Sequence, residues 1–298
     1  MKISDSLNQI NLNHKTVVTI GVFDGIHLGH SELIKKVIDI SKESDYKSAV
    51  ITFQTNPKLI FSSNRLYSKQ LISFEKKKEI FEKSGVDYFI NFNPEERIFE
   101  YSAEKFIEEI LIKKLNAEYI VIGYDFKFGK EKKGNLELLK KYFKTRAISL
   151  DKVIIDGITV SSTNIKKNLL NYNFEFANKM LGYKYCFSGI IKKGKELGRT
   201  IGFPTINIEY PENVIELRGI FETTAEIKGK KYRSISHIGE IPTFNRSEKT
   251  IETYILNFNE NVYGENAVIY PEKFIREIIK FNSIDELKKQ IIMDICKI

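Results

Sequence analysis

Only two cysteines, Cys186 and Cys296, stand in 298 residues, too far apart for a metal-binding or redox spacing, so no disulfide framework is expected. There is also no uninterrupted apolar run long enough to span a bilayer. The first residues, Met1-Lys2-Ile3-Ser4-Asp5, lack the apolar core of a secretory signal, and the cytoplasm is the expected location. Internal repeats, low-complexity tracts and long flexible linkers are missing as well. These absences set aside a membrane protein, a disulfide-stapled scaffold and a disordered chain. What remains, with 42% hydrophobic and 29% charged residues, is an ordinary globular composition at a length that suits two domains, each able to bury its own core. The net charge of +8 favours anionic partners. The lysines, however, are scattered through runs such as Lys76-Lys77-Lys78 and Lys132-Lys133, which read as solvated helix faces or loops. With neither a compact basic stripe nor a ribonucleoprotein-type aromatic motif, nucleic acid is not an expected partner.

The first half alternates strand-like and helix-like patterns. Strands are expected at Thr16–Ile20, Ser48–Phe53, Asp87–Asn91 and Tyr119–Ile122, with a further strand pair near Ala147–Ile155. Helices are expected from Ser31, where Leu33, Ile34, Val37 and Ile38 share a face, and over Ser73–Lys83 and about Ala103–Leu115. Such alternation implies a parallel sheet covered on both faces, with ligands beyond the carboxyl ends of its strands. A helix over Phe174–Leu181 would stop at Gly182, where the domain boundary is placed. Beyond it come closely spaced strands at Phe187–Ile191, Phe221–Ile227, Tyr232–Ile238, Thr250–Phe258 and Asn266–Tyr270, which suggest a small antiparallel barrel. A terminal helix over Ser283–Ile295 carries Ile284, Leu287, Ile291, Ile292 and Ile295 on its apolar side.

Gly21-Val22-Phe23-Asp24-Gly25-Ile26-His27-Leu28-Gly29-His30 falls at a strand-to-helix junction. Glycines let a backbone approach phosphate closely, and a helix amino terminus supplies unpaired N–H groups with partial positive charge. His27 and His30 could then donate hydrogen bonds to charge developing on phosphoryl oxygens, which makes an ATP-using enzyme the leading reading. The turn would also suit a surface loop or a metal, although no further His or Cys stands nearby to complete a metal site. A second group, Gly198-Arg199-Thr200-Ile201-Gly202-Phe203-Pro204-Thr205-Ile206-Asn207, sets two oxygen donors, Thr205 and Asn207, where both could face one Mg²⁺ on an extended segment; it would equally suit a barrel corner. Glu252, inside a strand-like run, is either a base or an outward-facing surface residue.

These two groups occur together with Gly-Tyr-Asp-Phe-Lys-Phe-Gly-Lys at 123–130, Ser-Ser-Thr at 161–163 and Ile-Gly-Glu-Ile-Pro-Thr-Phe at 238–244. In that order, over nearly the whole chain, they resemble the prokaryotic bifunctional riboflavin kinase and FAD synthetase family. The resemblance implies an α/β plus β fold: a Rossmann-like nucleotidyltransferase domain with a parallel sheet at 1–182, then a small antiparallel β-barrel kinase domain with a C-terminal helix at 183–298. It implies adenylylation of FMN to FAD in the first domain and phosphorylation of riboflavin to FMN in the second, with ATP as co-substrate and Mg²⁺ in both steps. In the first, His27 and His30 would stabilise the triphosphate, Gly21, Phe23 and Gly29 would shape the nucleotide cleft, and Asp125 would border the flavin. Ser162 and Thr163 would cap a helix starting near Ile165 and aim it at phosphate. In the second, Thr205 and Asn207 would hold Mg²⁺ and Glu252 would take the ribityl proton. Gly198, Arg199 and Gly202 would belong to the ATP-phosphate loop, and Arg276 would border the flavin.

This chain departs from the family pattern inside those motifs. Asn164 stands where an arginine is usual, with Lys166 and Lys167 soon after; Gln54 and Asn56 replace an acidic residue and a histidine; His237 and Ile241 replace an asparagine and an arginine. Amides keep hydrogen bonds but lose charge, so the expectation is a retained kinase and a synthetase whose rate bears that loss. Rival readings are a monofunctional riboflavin kinase with a degenerate first domain, a flavin-responsive RNA-binding regulator, and another nucleotidyltransferase, which would leave the second domain unexplained.

Overall fold

The structure is a computed structural model that describes residues 1–6, 10–53, 69–92, 100–194, 197–240 and 249–298. Gln54, Asn56 and Ile241 lie outside the described residues. Contacts divide the chain into two compact units, Met1–Thr163 and Asn164–Ile298.

The first unit runs β1 (Lys2–Ser4), β2 (Thr16–Ile20), α1 (Leu28–Glu43), β3 (Lys47–Phe53), α2 (Phe74–Ser84), β4 (Tyr88–Phe92), α3 (Ala103–Lys105) continuing as a π-helix over Phe106–Lys114, β5 (Ala117–Gly123), α4 (Leu136–Phe143) and β6 (Ala147–Leu150). A hairpin of β7 (Ile154–Ile155) and β8 (Ile158–Thr159) follows. The six strands β1 to β6 form one parallel sheet in the order β1-β4-β3-β2-β5-β6. β2 is buried at every position, as a central parallel strand covered on both faces must be. Val18, Ile20, Ala49, Ile51, Ile120 and Ile122 share a core with Phe106, Ile107, Ile110 and Leu111 of the π-helix. β2 and β5 are neighbours, yet from β2 the chain moves to β3 on its other side. That reversal of direction marks a switch point at the carboxyl ends of β2 and β5, the usual ligand position in such sheets.

The expected strand pair near Ala147–Ile155 separates: β6 joins the parallel sheet, while Ile154–Ile155 pairs with Ile158–Thr159. Helix α4, which burial of Leu139 and Phe143 fixes against the core, had no place in the sequence reading.

The second unit holds α5 (Ser162–Leu170, its first two residues belonging to the first unit), α6 (Phe174–Leu181), β9 (Phe187–Ile190), α7 (Leu197–Thr200), β10 (Thr205–Glu209), β11 (Gly219–Ile227), β12 (Lys230–Glu240), β13 (Lys249–Ile255), β14 (Asn266–Arg276) and α8 (Ile284–Ile295). Gly182, left-handed at φ 79°, ends α6 as expected. Tyr172 stacks on Phe274 at 4.1 Å and Phe174 meets Phe221 edge-on, so α6 and its lead-in pack on the barrel and the compact unit begins ahead of Gly182.

β9 to β14 form one antiparallel sheet in the order β10-β13-β12-β11-β14-β9. Its two edges meet where Lys192 N donates to Asn207 O at 2.8 Å, nearly closing the barrel. Strand alternation sends Phe221, Ala225, Ile238, Ile251, Ile255 and Ile269 inward together with Thr223, Ser234, Ser236 and Thr253, all buried. Inside the barrel those hydroxyls bond one another, Ser234 to Thr223, Thr223 to Ser236 and Ser236 to Thr253, each at 2.8 Å, which satisfies groups that burial would otherwise penalise.

Candidate active sites

The first site grows from the turn that joins β2 to α1, at the switch point between β2 and β5. Phe23, Gly25 and Ile26 all have positive φ, at 50°, 83° and 38°; only Gly25 adopts this without strain, so surrounding bonds must hold the other two. They do. Thr52 Oγ1 and Lys77 Nζ both donate to the Val22 carbonyl, at 3.1 and 2.9 Å. Leu71 N donates to Asp24 Oδ1 at 2.6 Å, Ser162 Oγ donates to the Asp24 carbonyl at 2.9 Å, and Phe81 of α2 packs edge-on against Phe23 at 5.4 Å.

The turn brings the two histidines into contact. His27 and His30 stack with centroids 3.7 Å apart and planes 15° from parallel, and Phe23 meets His30 edge-on at 5.1 Å. Burial pushes His27 down to about 4 despite the opposing pull of Asp24 and Asp125, and burial with the charges of His27 and Lys77 holds His30 well below the ordinary range. Both rings are therefore neutral at pH 7. Their Nδ1 atoms are buried without a hydrogen-bond partner among the described residues. His27 is the N-cap of α1 and its side chain makes no cap bond, so the helix amino terminus keeps donors for an incoming anion. Gly21 and Gly29 flank the pair: a Cβ on Gly29 would touch the His27 ring at 3.4 Å, and one on Gly21 would press on Phe23 at 3.2 Å. Asp125 sits in the exposed turn that leaves β5, near enough to act on His27.

Ser162 and Thr163 do not precede their helix; α5 begins at Ser162, in place of the expected start near Ile165. The Ser162 hydroxyl is spent on the Asp24 carbonyl. Of the lysines following Asn164, Lys166 is buried and Lys167 is exposed.

The second site lies on the outer face of the barrel. Thr205 and Asn207 are alternate residues of β10 and share a face; Asn207 is opposite Glu252 of β13, and Glu252 is opposite His237 of β12. Side chains so paired have Cβ atoms roughly 5 Å apart. The register thus makes one row of Asn207, Glu252 and His237, with Thr205 beside it. Burial, aided by Arg276 and Arg218, lowers His237 to about 4, so this imidazole too is neutral at pH 7.

Gly198 and Gly202 shape the tight link from α7 to β10. Phe203 N donates to Gly198 O at 2.7 Å, a Cβ on Gly198 would collide with the Phe203 carbonyl, and Gly202 has φ 92°. Arg199 is exposed on α7. Arg276 is differently engaged: its Nε and Nη2 grip the buried Asp294 at 2.6 to 3.0 Å and its Nη1 donates to Glu277 O at 2.9 Å. The guanidinium fork therefore ties β14 to α8.

Residues 9–164 match the FAD synthetase family and residues 181–298 match the riboflavin kinase family. The chain belongs to the bifunctional riboflavin kinase/FMN adenylyltransferase family. A family member from Buchnera aphidicola subsp. Schizaphis graminum is 34% identical over 303 residues, 99% of this chain and 97% of that one. Another, from Listeria monocytogenes, is 35% identical over 93% of this chain and 90% of its own. A solved structure described as a macrolide-efflux protein from Streptococcus pneumoniae is similar over 98% of this chain and 96% of that one, with a TM-score of 0.84 at 29% identity. Among the described residues of this chain, no helix is long and apolar enough to cross a membrane. Both enzymatic domains of the family are present, in the order the motifs implied, and the activities are riboflavin kinase and FMN adenylyltransferase.

Sequence reasoning missed Lys77. It stands in a lysine run read as solvated, yet its exposure is 0% and its ammonium lies under the histidine turn. A signal was present: in α2, Lys77 lies four residues from buried Phe81, on the buried side of the helix.

Proposed function

We propose that the turn between β2 and α1 carries out adenylyl transfer from ATP to FMN, and that the outer face of β10 and β13 carries out phosphoryl transfer from ATP to riboflavin. The observation that carries the first assignment is the stacked, neutral histidine pair at the open amino terminus of α1, at the switch point between β2 and β5. A phosphate oxygen of FMN attacks the α-phosphorus of ATP, the α–β bridging bond breaks, and pyrophosphate leaves. His27 and His30 donate N–H hydrogen bonds to the oxygens on which charge grows, and Asp125, beside them, helps seat the flavin substrate. Gly21, Phe23 and Gly29 hold the pair close, while the first turn of α5, with Ser162 and Thr163, closes one side of the turn. No covalent intermediate is needed, because positioning and charge stabilisation suffice for this displacement.

In the barrel, Glu252 takes the proton from the ribityl hydroxyl as that oxygen attacks the γ-phosphorus of ATP and ADP departs. Gly198, Arg199 and Gly202 cradle the phosphates, and Arg276 borders the flavin through the α8 segment it anchors. Thr205 and Asn207 fit Mg²⁺. Both are hard oxygen donors, and with Asn207 Nδ2 turned to the Thr205 carbonyl at 3.5 Å, Oδ1 is its accepting end. No group of three or more His, Cys, Asp or Glu side chains is arranged for a metal among the described residues, so the ion would be shared with substrate phosphate in the manner usual for Mg²⁺. When bound, it would neutralise charge on the transferred phosphoryl group. ATP use at both sites fits the cytoplasmic location expected from the sequence.

The two sites are separable by mutation in one chain. Glu252→Gln should lower riboflavin phosphorylation by about a thousandfold and leave FMN adenylylation intact. Replacing His27 and His30 by Ala should do the reverse. Riboflavin turnover that survives Glu252→Gln, or FAD formation that survives loss of both histidines, would overturn the respective assignment.

A further inference from the structure

Lys77 is the least expected group in the first unit. Its side chain crosses from α2 into the core, has 0% exposure, and ends 2.9 Å from the Val22 carbonyl. That carbonyl also accepts from the Thr52 hydroxyl at 3.1 Å, so an ammonium is not required to satisfy it. Burying a cation is unfavourable, and an apolar side chain of similar volume ordinarily serves the folded state as well or better. Burial lowers Lys77 only to about 8, with Asp24 opposing the fall, so it stays charged at neutral pH. The same charge helps keep His30 uncharged. At neutral pH a cation thus stands behind two neutral imidazoles and the open amino terminus of α1, in a water-poor setting where its field is weakly screened.

We infer that Lys77 is a positioning residue whose buried charge, acting through the Val22–His30 turn, favours the polyphosphate of the nucleotide over its nucleoside end. With no exposure it cannot touch the ligand in this conformation, so its contribution is a field rather than a contact. The inference rests on the proposed adenylyl-transfer role of the turn. A stabilising role alone would make Lys77 costly to remove for folding and indifferent to the charge of the nucleotide. A field makes the loss grow with that charge.

The test compares full-length wild type with Lys77→Met and Lys77→Gln, the second keeping a donor for Val22 and the length of the chain but not the charge. Nucleotide strength at this site would be read as the KM for ATP in FAD formation from FMN and as inhibition of that reaction by ADP and AMP, alongside FMN formation from riboflavin. The expected result is an ATP affinity lowered by about tenfold in both variants, a smaller loss for ADP and the smallest for AMP, with riboflavin phosphorylation unchanged and no fall in unfolding temperature. Equal losses for the three nucleotides, or none, would overturn the inference, as would wild-type ATP binding in Lys77→Gln. Should Lys77→Met not fold, Lys77→Gln alone decides by the same gradient. Wild-type protein that forms no FAD would remove the underlying reading, an outcome distinct from active wild type with unaltered variants.

Discussion

His27, His30 and His237 are held neutral by burial, which ties the stability of both units to pH. The unfolded chain protonates its histidines near 6.5, whereas folded His27 and His237 do so only at about 4, and burial holds His30 well below the ordinary range as well. Between these values the unfolded state binds more protons, so stability falls as pH drops from 6.5 toward 4 and is level just above 7. His27 alone should account for about 3 kcal/mol of that loss, with Asp24 and Asp125 already counted against it. Urea midpoints at pH 7, 5.5 and 4.5 should decline in order; a midpoint constant across that range would contradict the assignment of neutral rings. Lys77 has the same logic at the alkaline end, since its lowered value makes folding more favourable as pH rises from 8 to 10.5. The placement of the histidines was legible because the β-branched run before the turn and the helical periodicity after it mark a strand-to-helix junction locally. Lys77 was not, because burial of a lysine is decided by what α2 packs against, and flanking Lys76 and Lys78 hide it in a charged run.

Among the elements, α8 shows where pattern and packing part. Its 3.6-residue periodicity foretells a helix, and Leu287, Ile291 and Ile295 of the expected apolar side are half-buried on the face that carries Asp294, but the other two isoleucines are not covered. Ile284 and Ile292 are 54% and 52% exposed, while Asp294, at 2%, is the buried residue that receives Arg276 and Gln290. The ion pair thus joins the half-buried Leu287, Ile291 and Ile295 in fixing the rotation of the helix. Asp294→Ala should therefore destabilise the second unit by about 3 to 5 kcal/mol, because it strands a largely buried guanidinium. Ile292→Ala should stay within about 0.5 kcal/mol of wild type. Denaturant unfolding of the two variants reads both, and the reverse ranking would refute this docking. Strand β10 teaches a similar point: the spacing of Thr205 and Asn207 on an extended segment puts them on one face, but only register sets them beside Glu252 and adds His237 to the row.

At the scale of the molecule, two architectures sharing one chain correspond to two successive reactions, the product of the barrel being the substrate of the parallel-sheet unit. The alternation of strands with helices, then strands without them, made that division readable before any coordinates, and the family matches at 9–164 and 181–298 agree with its order. The start of the second compact unit was less readable, since the two helices between β8 and β9 carry no composition shift; packing of Tyr172 and Phe174 on Phe221 and Phe274 joins α6 and its lead-in to the second unit. The central claim is that both reactions proceed in this chain, and it is tested most directly by following purified protein with riboflavin, ATP and Mg²⁺ by chromatography over time. The account predicts that riboflavin gives way to FMN, which rises, falls and yields FAD. Accumulation of FMN with no FAD, also when FMN is supplied at the start, would contradict it.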